Sequence, residues 1–195
     1  RSTLFPYTTL FRSSYNDAIE IAAGVVNITS CNDGLHAEND EDDSVGYIYI
    51  CGGRLEINAT DDAIHATTVF QMDDGNLTLT GGECIEGTYI QVNGGAVVIN
   101  ASDDGINAAN KSSQYTPTFE MNDGTVVITM GAGDTDGVDV NGNIVINGGT
   151  LDISGQSTFD YDGTAEYNGG TIIENGTETN TITNQFFGGE PGGGL

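Results

Sequence analysis

The sequence contains very little positive charge. Its 195 residues include four lysines and arginines against 29 aspartates and glutamates, for a net charge of −25. A negative field of this size repels nucleic acids and anionic membranes, which excludes nucleic-acid binding as a function. No apolar run approaches the length of a membrane span, and no segment shows the 3.6-residue hydrophobic period of a helix.

Cysteine is also scarce. The three cysteines, Cys31, Cys51 and Cys84, cannot all pair within one chain. Two interpretations stay open: three small residues in or near the core, or one disulfide with a third, unpaired thiol.

What the sequence does contain is a repeated phrase. It reads GVVNITSCNDGLHA from Gly24, GRLEINATDDAIHA from Gly53 and GAVVINASDDGINA from Gly95. Weaker copies extend the series, and the turn glycines of all units are Gly24, Gly53, Gly75, Gly95, Gly124, Gly149 and Gly170. Self-similarity at a period of roughly 20 to 50 residues indicates stacked supersecondary units.

Each unit contains three short runs with the two-residue alternation of a β-strand. The sequence therefore predicts an all-β fold, a parallel β-helix of about seven coils and roughly 34 Å in height. Inward residues at equal positions are expected to form three ladders: Ile21, Ile50, Met72, Val92, Met121 and Ile146; Ile28, Ile57, Leu79, Ile99, Ile128 and Ile153; and Leu35, Ile64, Ile85, Ile106, Val138 and Phe159.

The repeat also places carboxylates at a constant offset. Asp33, Asp62 and Asp104 each follow their turn glycine by nine residues, so stacking would build a column of acids. Strands about 4.8 Å apart would let a Ca²⁺ ion between two such carboxylates contact both. The candidate ligands are Asp33, Asp61, Asp62, Glu83, Glu86, Asp103, Asp104, Asp134, Asp136 and Asp139. The alternative is that these residues form solvated Asp-Gly turns.

Other polar residues have weaker patterns. His36 and His65 occupy matching positions and are predicted to be outward polar residues; a zinc site is not expected across two coils without a cysteine or third histidine nearby. Aromatic rings for contact with sugars are predicted at Tyr47, Tyr49, Tyr89, Tyr115 and Tyr161.

The two ends differ from the repeat. Residues 1–13 contain LFPYTTLFRS, which resembles the translation of a sequencing-adapter oligonucleotide, so this segment is predicted to lie outside the fold and the rest to be a fragment. Residues 14–187 are the predicted β-helix domain, and residues 188–195 are a Gly-rich tail.

Several phrases together resemble a bacterial secreted carbohydrate-binding domain family with DDGIHA-type repeats. They are GYIYICGGRLEINATDDAIHA, GGECIEG, VNGGAVVINASDDGINAAN and DTDGVDVNGNIVINGGTLDISG. The resemblance implies a right-handed parallel β-helix similar to that of family nine polysaccharide lyases, with bound calcium. It further implies a secreted or cell-surface protein that binds cellulose and pectin without cleaving them. Ala63 and Cys84 depart from the family's usual residues at their positions.

Three functions are therefore compared. The first is calcium-dependent, non-catalytic binding of plant-type polysaccharides, in which a held cation accepts a uronate carboxylate. The second is a calcium-dependent lyase on the same fold, for which Lys111 is the one available base. The third is a calcium-stabilised structural rod that self-associates end to end into fibres.

Overall fold

The computed structural model describes residues 8–9, 12–13, 16–39, 41–133 and 135–185. All the regular structure in these residues is β. The strands are β1 (Thr8–Thr9), β2 (Arg12–Ser13), β3 (Asn16–Ile21), β4 (Val25–Cys31), β5 (Leu35–Ala37), β6 (Tyr47–Ala59), β7 (Ile64–Gly81), β8 (Ile85–Val92), β9 (Ala96–Ala101), β10 (Ile106–Ala108), β11 (Thr118–Met121), β12 (Thr125–Met130), β13 (Asp136–Val140), β14 (Asn143–Ile146), β15 (Thr150–Ser154), β16 (Ser157–Tyr161), β17 (Ala165–Tyr167), β18 (Thr171–Glu174) and β19 (Thr177–Thr179).

Successive repeats pair in parallel and in register along three series of strands. The first series joins β3, β6, β7, β8, β11, β14 and β17, and the second joins β4, β6, β7, β9, β12, β15 and β18. The third joins β5, β7, β8, β10, β13 and β16. The long strands β6 and β7 each belong to more than one series because they continue around a corner of the coil.

The three predicted ladders are confirmed residue by residue. Ile50 pairs with Met72, Ile57 with Leu79, and Ile64 with Ile85, and the remaining members follow in the same order. Nearly all of these side chains are buried in one continuous hydrophobic core. An in-register repeat stacks like on like, so each apolar residue meets the equivalent residue of the next coil.

Positive backbone φ angles confirm the predicted turn glycines, all seven of which have this conformation. Gly95, for example, has a φ of 83°, and a Cβ there would lie 2.7 Å from the carbonyl oxygen of Gly75. A side chain at this position would be disfavoured both by the backbone conformation and by contact with the neighbouring coil.

The sheet is mixed, and this departs from the purely parallel arrangement expected from the repeat. β18 and β19 pair antiparallel, as do β1 and β2 with β3. These pairs lie at the first and last of the described strands. Thr8–Thr9 and Arg12–Ser13 belong to the segment expected to lie outside the fold, and they contact the edge of β3; the origin of that segment stays a prediction.

The cysteines are all free thiols, so the disulfide alternative is not found. Cys84 is buried, whereas Cys31 and Cys51 are half-buried. No helix among the described residues has the length and apolar character needed to cross a membrane.

Candidate functional site

The predicted acidic column forms on one corner of the coils. We call the acidic column the stack of Asp33, Asp62, Glu83, Asp104 and Asp136, each two residues before an inward residue of the third ladder. Backbone bonds hold its levels together: the Gly34 amide donates to the carbonyl of Asp62, and the Cys84 amide to that of Asp104. The remaining predicted ligands of the paired steps, Asp61 and Asp103, are exposed beside it.

A second stack runs beside the first. We call it the polar ladder; it contains His36, His65, Glu86, Asn107, Asp139 and Asp160, paired in register across β5, β7, β8, β10, β13 and β16. Its members follow the acidic column by three residues in the chain. The side chains of the two stacks therefore meet, as when the Asn107 amide donates to Glu83 at 2.9 Å.

Charge is balanced in one half of this corner. His65 Nδ1 lies 2.8 Å from Asp62 and 2.6 Å from Glu86, and Lys111 Nζ lies 2.5 Å from the other oxygen of Glu86. His65 and Glu86 are only 6% and 5% exposed. His65 alternates with the core residues Ile64 and Ala66, so it lies at the predicted outward position of its strand but is covered rather than open to solvent. Lys111, the base that a lyase on this fold would use, forms an ion pair with Glu86.

These contacts explain the protonation of the group. Burial works against a charged imidazole, but the hydrogen bonds to Asp62 and Glu86 raise the pKa of His65 to about 10. Burial also opposes ionisation of Glu86, yet its bonds to His65 and Lys111 lower its pKa to about 2. Burial raises the pKa of Asp62, and the nearby charge of Glu86 adds to this. The single Nδ1–H of His65 cannot donate a full hydrogen bond to both Asp62 and Glu86. Glu86 also forms an ion pair with Lys111, so Glu86 is the acid that carries the negative charge.

Replacing Lys111 with methionine is expected to destabilise the fold. Breaking a buried pair typically costs about 3–5 kcal/mol, and because the Lys111 side chain is 38% exposed we expect a smaller loss of about 1–2 kcal/mol in the free energy of unfolding. Urea denaturation of Lys111→Met would measure it. Arg54→Met is the control, since Arg54 forms no salt bridge among the described residues. Equal stability of both variants and the unaltered protein would contradict the inferred role of the pair.

In the other half of the corner, the carboxylates have no cationic partner among the residues that the structure describes. Burial and the neighbouring Asp139, Asp103 and Asp136 raise the pKa of Asp104 to about 7. Burial, with Asp160, Asp136 and Asp162, raises the pKa of Asp139 to about 6.

Two further acids belong to this half. Burial raises the pKa of Glu83 to about 7, and the negative charges of Glu86, Asp62 and Asp104 act in the same direction. The hydrogen bond from Asn107 acts to lower this pKa but is outweighed. Burial and neighbouring aspartates also raise the pKa of Asp160, which the sequence reasoning missed. In all four acids burial is the main cause of the raised pKa, and the negative charge of neighbouring carboxylates adds to it.

Two compact groups of possible metal ligands occur near this corner. Among the described residues, three ligand atoms lie within 4.8 Å of one another in two groups: His36, Glu38 and His65, and Asp62, His65 and Glu86. Asp104, Asp136 and Asp139 do not form such a group, and Asp134 lies outside the described residues. The calcium ligands therefore stay a prediction.

Four of the predicted tyrosines form another surface, which we call the tyrosine face: Tyr47, Tyr49 and Tyr89 lie along the first series of strands, and Tyr115 packs beside Tyr89 from the loop before β11. The rings of Tyr47 and Tyr49 have centroids 6.3 Å apart, and those of Tyr89 and Tyr115 are 6.0 Å apart. Tyr47 and Tyr115 line one cleft of about 290 Å³ together with Asp17 and Ser44. Tyr161 was predicted to face outward, but it packs against the hydrophobic core.

A row of amides extends this face and was missed by the sequence reasoning. Asn93, Asn122, Asn147 and Asn168 each lie two residues before a turn glycine, and each bonds to the next at 2.7 to 2.8 Å. Tyr49 donates to Asp73 at 2.5 Å and Tyr89 donates to Glu120, so hydroxyls and carboxylates continue the row. The signal for this row was present in the asparagine that recurs two residues before a turn glycine.

Comparison with protein families gives one family. Residues 14–132 and 83–185 match the model described as "Carbohydrate-binding domain-containing protein", and together they cover most of the chain. The chain belongs to this family. The two matches overlap, as expected for a repeat that fits one model in two registers.

Both matched segments of this carbohydrate-binding domain include parts of the acidic column and of the tyrosine face. The partner class is therefore a polysaccharide. Searches of curated proteins and of solved structures gave no match.

Proposed function

We propose that this carbohydrate-binding domain is a calcium-binding, non-catalytic protein for plant-type polysaccharides, such as cellulose and pectin, at the bacterial cell surface. We also propose that its coils form a right-handed parallel β-helix, an interpretation supported by the three parallel, in-register series of strands. The observation that carries the calcium proposal is a group of in-register carboxylates that have no cationic partner within the described part of the chain.

The residues fit calcium in their chemistry. Ca²⁺ prefers six to eight oxygen ligands and accepts carboxylates readily, and Asp104, Asp136 and Asp139 supply such oxygens beside the exposed Asp103. Burial and the charge of neighbouring aspartates both raise the pKa values of Asp104 and Asp139, and a bound cation would favour the ionised form of these carboxylates. Asp33, Asp62 and Glu86 are weaker candidates because imidazole or ammonium groups already contact them.

Pectin and cellulose would use different parts of the surface. When bound, calcium would offer positive charge and a shared coordination position to a uronate carboxylate, which a protein of net charge −25 otherwise repels. A neutral glucan needs no cation, and the exposed ring of Tyr115 with the row of asparagine amides offers stacking and hydrogen bonds instead.

The contacts of Lys111 favour binding over lyase activity. A lyase base must lose its proton near neutral pH. Burial acts to lower the pKa of Lys111, but the hydrogen bond and charge of Glu86 outweigh it and raise the pKa above its ordinary value. An ammonium held in this way is a poor base.

Calorimetric titration with glycans tests the proposal. Polygalacturonate is expected to bind only with calcium and to release no unsaturated product, detected by ultraviolet absorbance. A soluble glucan is expected to bind with calcium or EGTA. Since an aromatic contact contributes about 0.5–1.5 kcal/mol, Tyr115→Ala should weaken glucan binding about two- to tenfold.

Tyr115→Phe keeps the ring and serves as the matched control, with expected affinity close to that of the unaltered protein. Unsaturated product from the unaltered protein would establish the lyase instead. Polygalacturonate binding that persists in EGTA would contradict the role given to calcium. Glucan affinity that stays unchanged in both Tyr115→Ala and Tyr115→Phe would contradict the role given to the tyrosine face.

A further inference from the structure

Two imidazole rings lie face to face at the start of the polar ladder. The centroids of His36 and His65 are 4.5 Å apart and the planes differ by 14°. Each ring directs Nδ1 to the aspartate three residues earlier, at 2.7 Å for Asp33 and 2.8 Å for Asp62. Because both rings are held in the same orientation, their Nε2 atoms lie on the same edge of the stack.

That edge contains an unexplained polar atom. His65 is only 6% exposed, and its buried Nε2 atom has no hydrogen-bond partner among the described residues. His36 Nε2 lies 2.8 Å from Glu38 Oε2. A buried ring nitrogen without a partner is costly, so the position next to these three atoms is suited to a ligand that all of them can bind.

We propose that His36 Nε2, His65 Nε2 and Glu38 form a binding site for a zinc-type divalent cation, separate from the calcium sites of the acidic column. Imidazole nitrogen is a preferred ligand of zinc, copper and nickel, whereas calcium prefers oxygen. Two imidazoles and one carboxylate are a known zinc ligand set that leaves a fourth position for water. The site stands whether or not calcium binds elsewhere.

The surroundings of the rings match those of metal-bound histidines. A histidine that binds a metal usually donates its other N–H to a carboxylate, which orients the ring and raises its basicity. Asp33 and Asp62 occupy that position for both rings. Zn–N bonds of about 2.0–2.1 Å place two ligand nitrogens about 3.3 Å apart, so the exposed ring of His36 must turn out of the stack until its Nε2 lone pair and that of His65 meet at one ion.

The sequence does not predict a zinc site here, because the two histidines lie in different coils with no cysteine or third histidine nearby. The structure supplies that ligand as Glu38, which directly follows β5 and whose carboxylate bonds to His36. In-register pairing of β5 with β7 brings His36 onto His65.

Zinc titration in the presence of excess calcium tests the site. Excess calcium first fills the sites that have only oxygen ligands. Calorimetric titration of the full chain with ZnCl₂ should then show one zinc site per chain. His36→Gln and Glu38→Gln are expected to weaken this site by at least the roughly tenfold change that loss of an outer partner causes. Glu41→Gln, an exposed carboxylate in the same acidic stretch, is the matched control and should leave zinc binding unchanged.

Spectroscopy gives a second readout that does not depend on affinity. Co²⁺ in place of zinc should show the visible bands of a four-coordinate site with imidazole ligands, and His36→Gln should lose them. Zinc affinity equal in His36→Gln and the unaltered protein would overturn the proposal, because the ion would then be on carboxylates. Absence of zinc uptake in excess calcium would overturn it as well.

Discussion

Calcium at about 100 times its Kd is expected to raise the midpoint of thermal unfolding of this protein by about 5 to 11 °C at pH 8. Binding to the folded state alone at that concentration contributes about 2.7 kcal/mol, and each kcal/mol moves Tm by about 2–4 °C in a domain of this size. The physical reason is the cluster around Asp104 and Asp139, whose mutual repulsion a cation relieves. Scanning calorimetry with calcium and with EGTA measures the shift.

The calcium-free protein is expected to have the opposite pH preference from most acidic folds, with a higher Tm at pH 5 than at pH 8. Folding raises the pKa of Asp104 to about 7, of Asp139 to about 6 and of Glu83 to about 7. Between roughly pH 4 and pH 7 the folded state therefore holds more protons than the unfolded state, and the free energy of unfolding falls as the pH rises.

Two other groups must be included in this balance. The raised pKa of His65, about 10, contributes stability that is complete below pH 6.5 and is lost as the pH rises toward 10, so it acts in the same direction. The lowered pKa of Glu86, about 2, contributes equally at pH 5 and pH 8. Calcium should thus stabilise the protein more at pH 8 than at pH 5.

Asp104→Asn separates the carboxylate cluster from His65. The variant should raise the calcium-free Tm at pH 8 and reduce the calcium shift, while the contribution of His65 remains. Equal Tm values at pH 5 and pH 8 in EGTA, or a calcium shift that Asp104→Asn leaves intact, would contradict the role of the cluster.

Phe119→Ala is expected to lower the free energy of unfolding by about 3–5 kcal/mol, the usual cost of removing a buried phenylalanine ring. Phe119 is fully buried and lies in register between Ile90 of β8 and Ile144 of β14. The ring therefore contacts the coils on both sides, and its loss leaves a cavity between them. Because a domain is stable by only about 5–15 kcal/mol, this variant should unfold at a much lower urea concentration.

Val98→Ala is the matched control for this measurement. Val98 lies on an outward position of β9 and is 42% exposed, so its truncation should change the free energy of unfolding by no more than about 0.5 kcal/mol. A loss below 1 kcal/mol in Phe119→Ala would contradict the in-register core contacts between coils as a source of stability.

Much of the fold could be predicted because the repeat is a local property. Alternation in the sequence determines which side chains point inward, and the turn glycines determine where each coil bends. In-register stacking then assigns each residue its neighbour, which is why Ile57 meets Leu79 and why Asp33, Asp62 and Asp104 lie in one column. The antiparallel pairs of β1, β2 and β19 were missed because they lie outside the repeat.

The chemistry of the corner was decided by contacts between coils. Matching spacing placed His36 and His65 on one ladder, but the burial of His65 and its position between Asp62 and Glu86 depend on side-chain packing. Lys111 lies in a loop, and the path of a loop does not follow from the period, so its pairing with Glu86 needed the tertiary structure. The sequence by itself therefore determined the coils and the column of acids, and the tertiary structure decided which acids have a cationic partner.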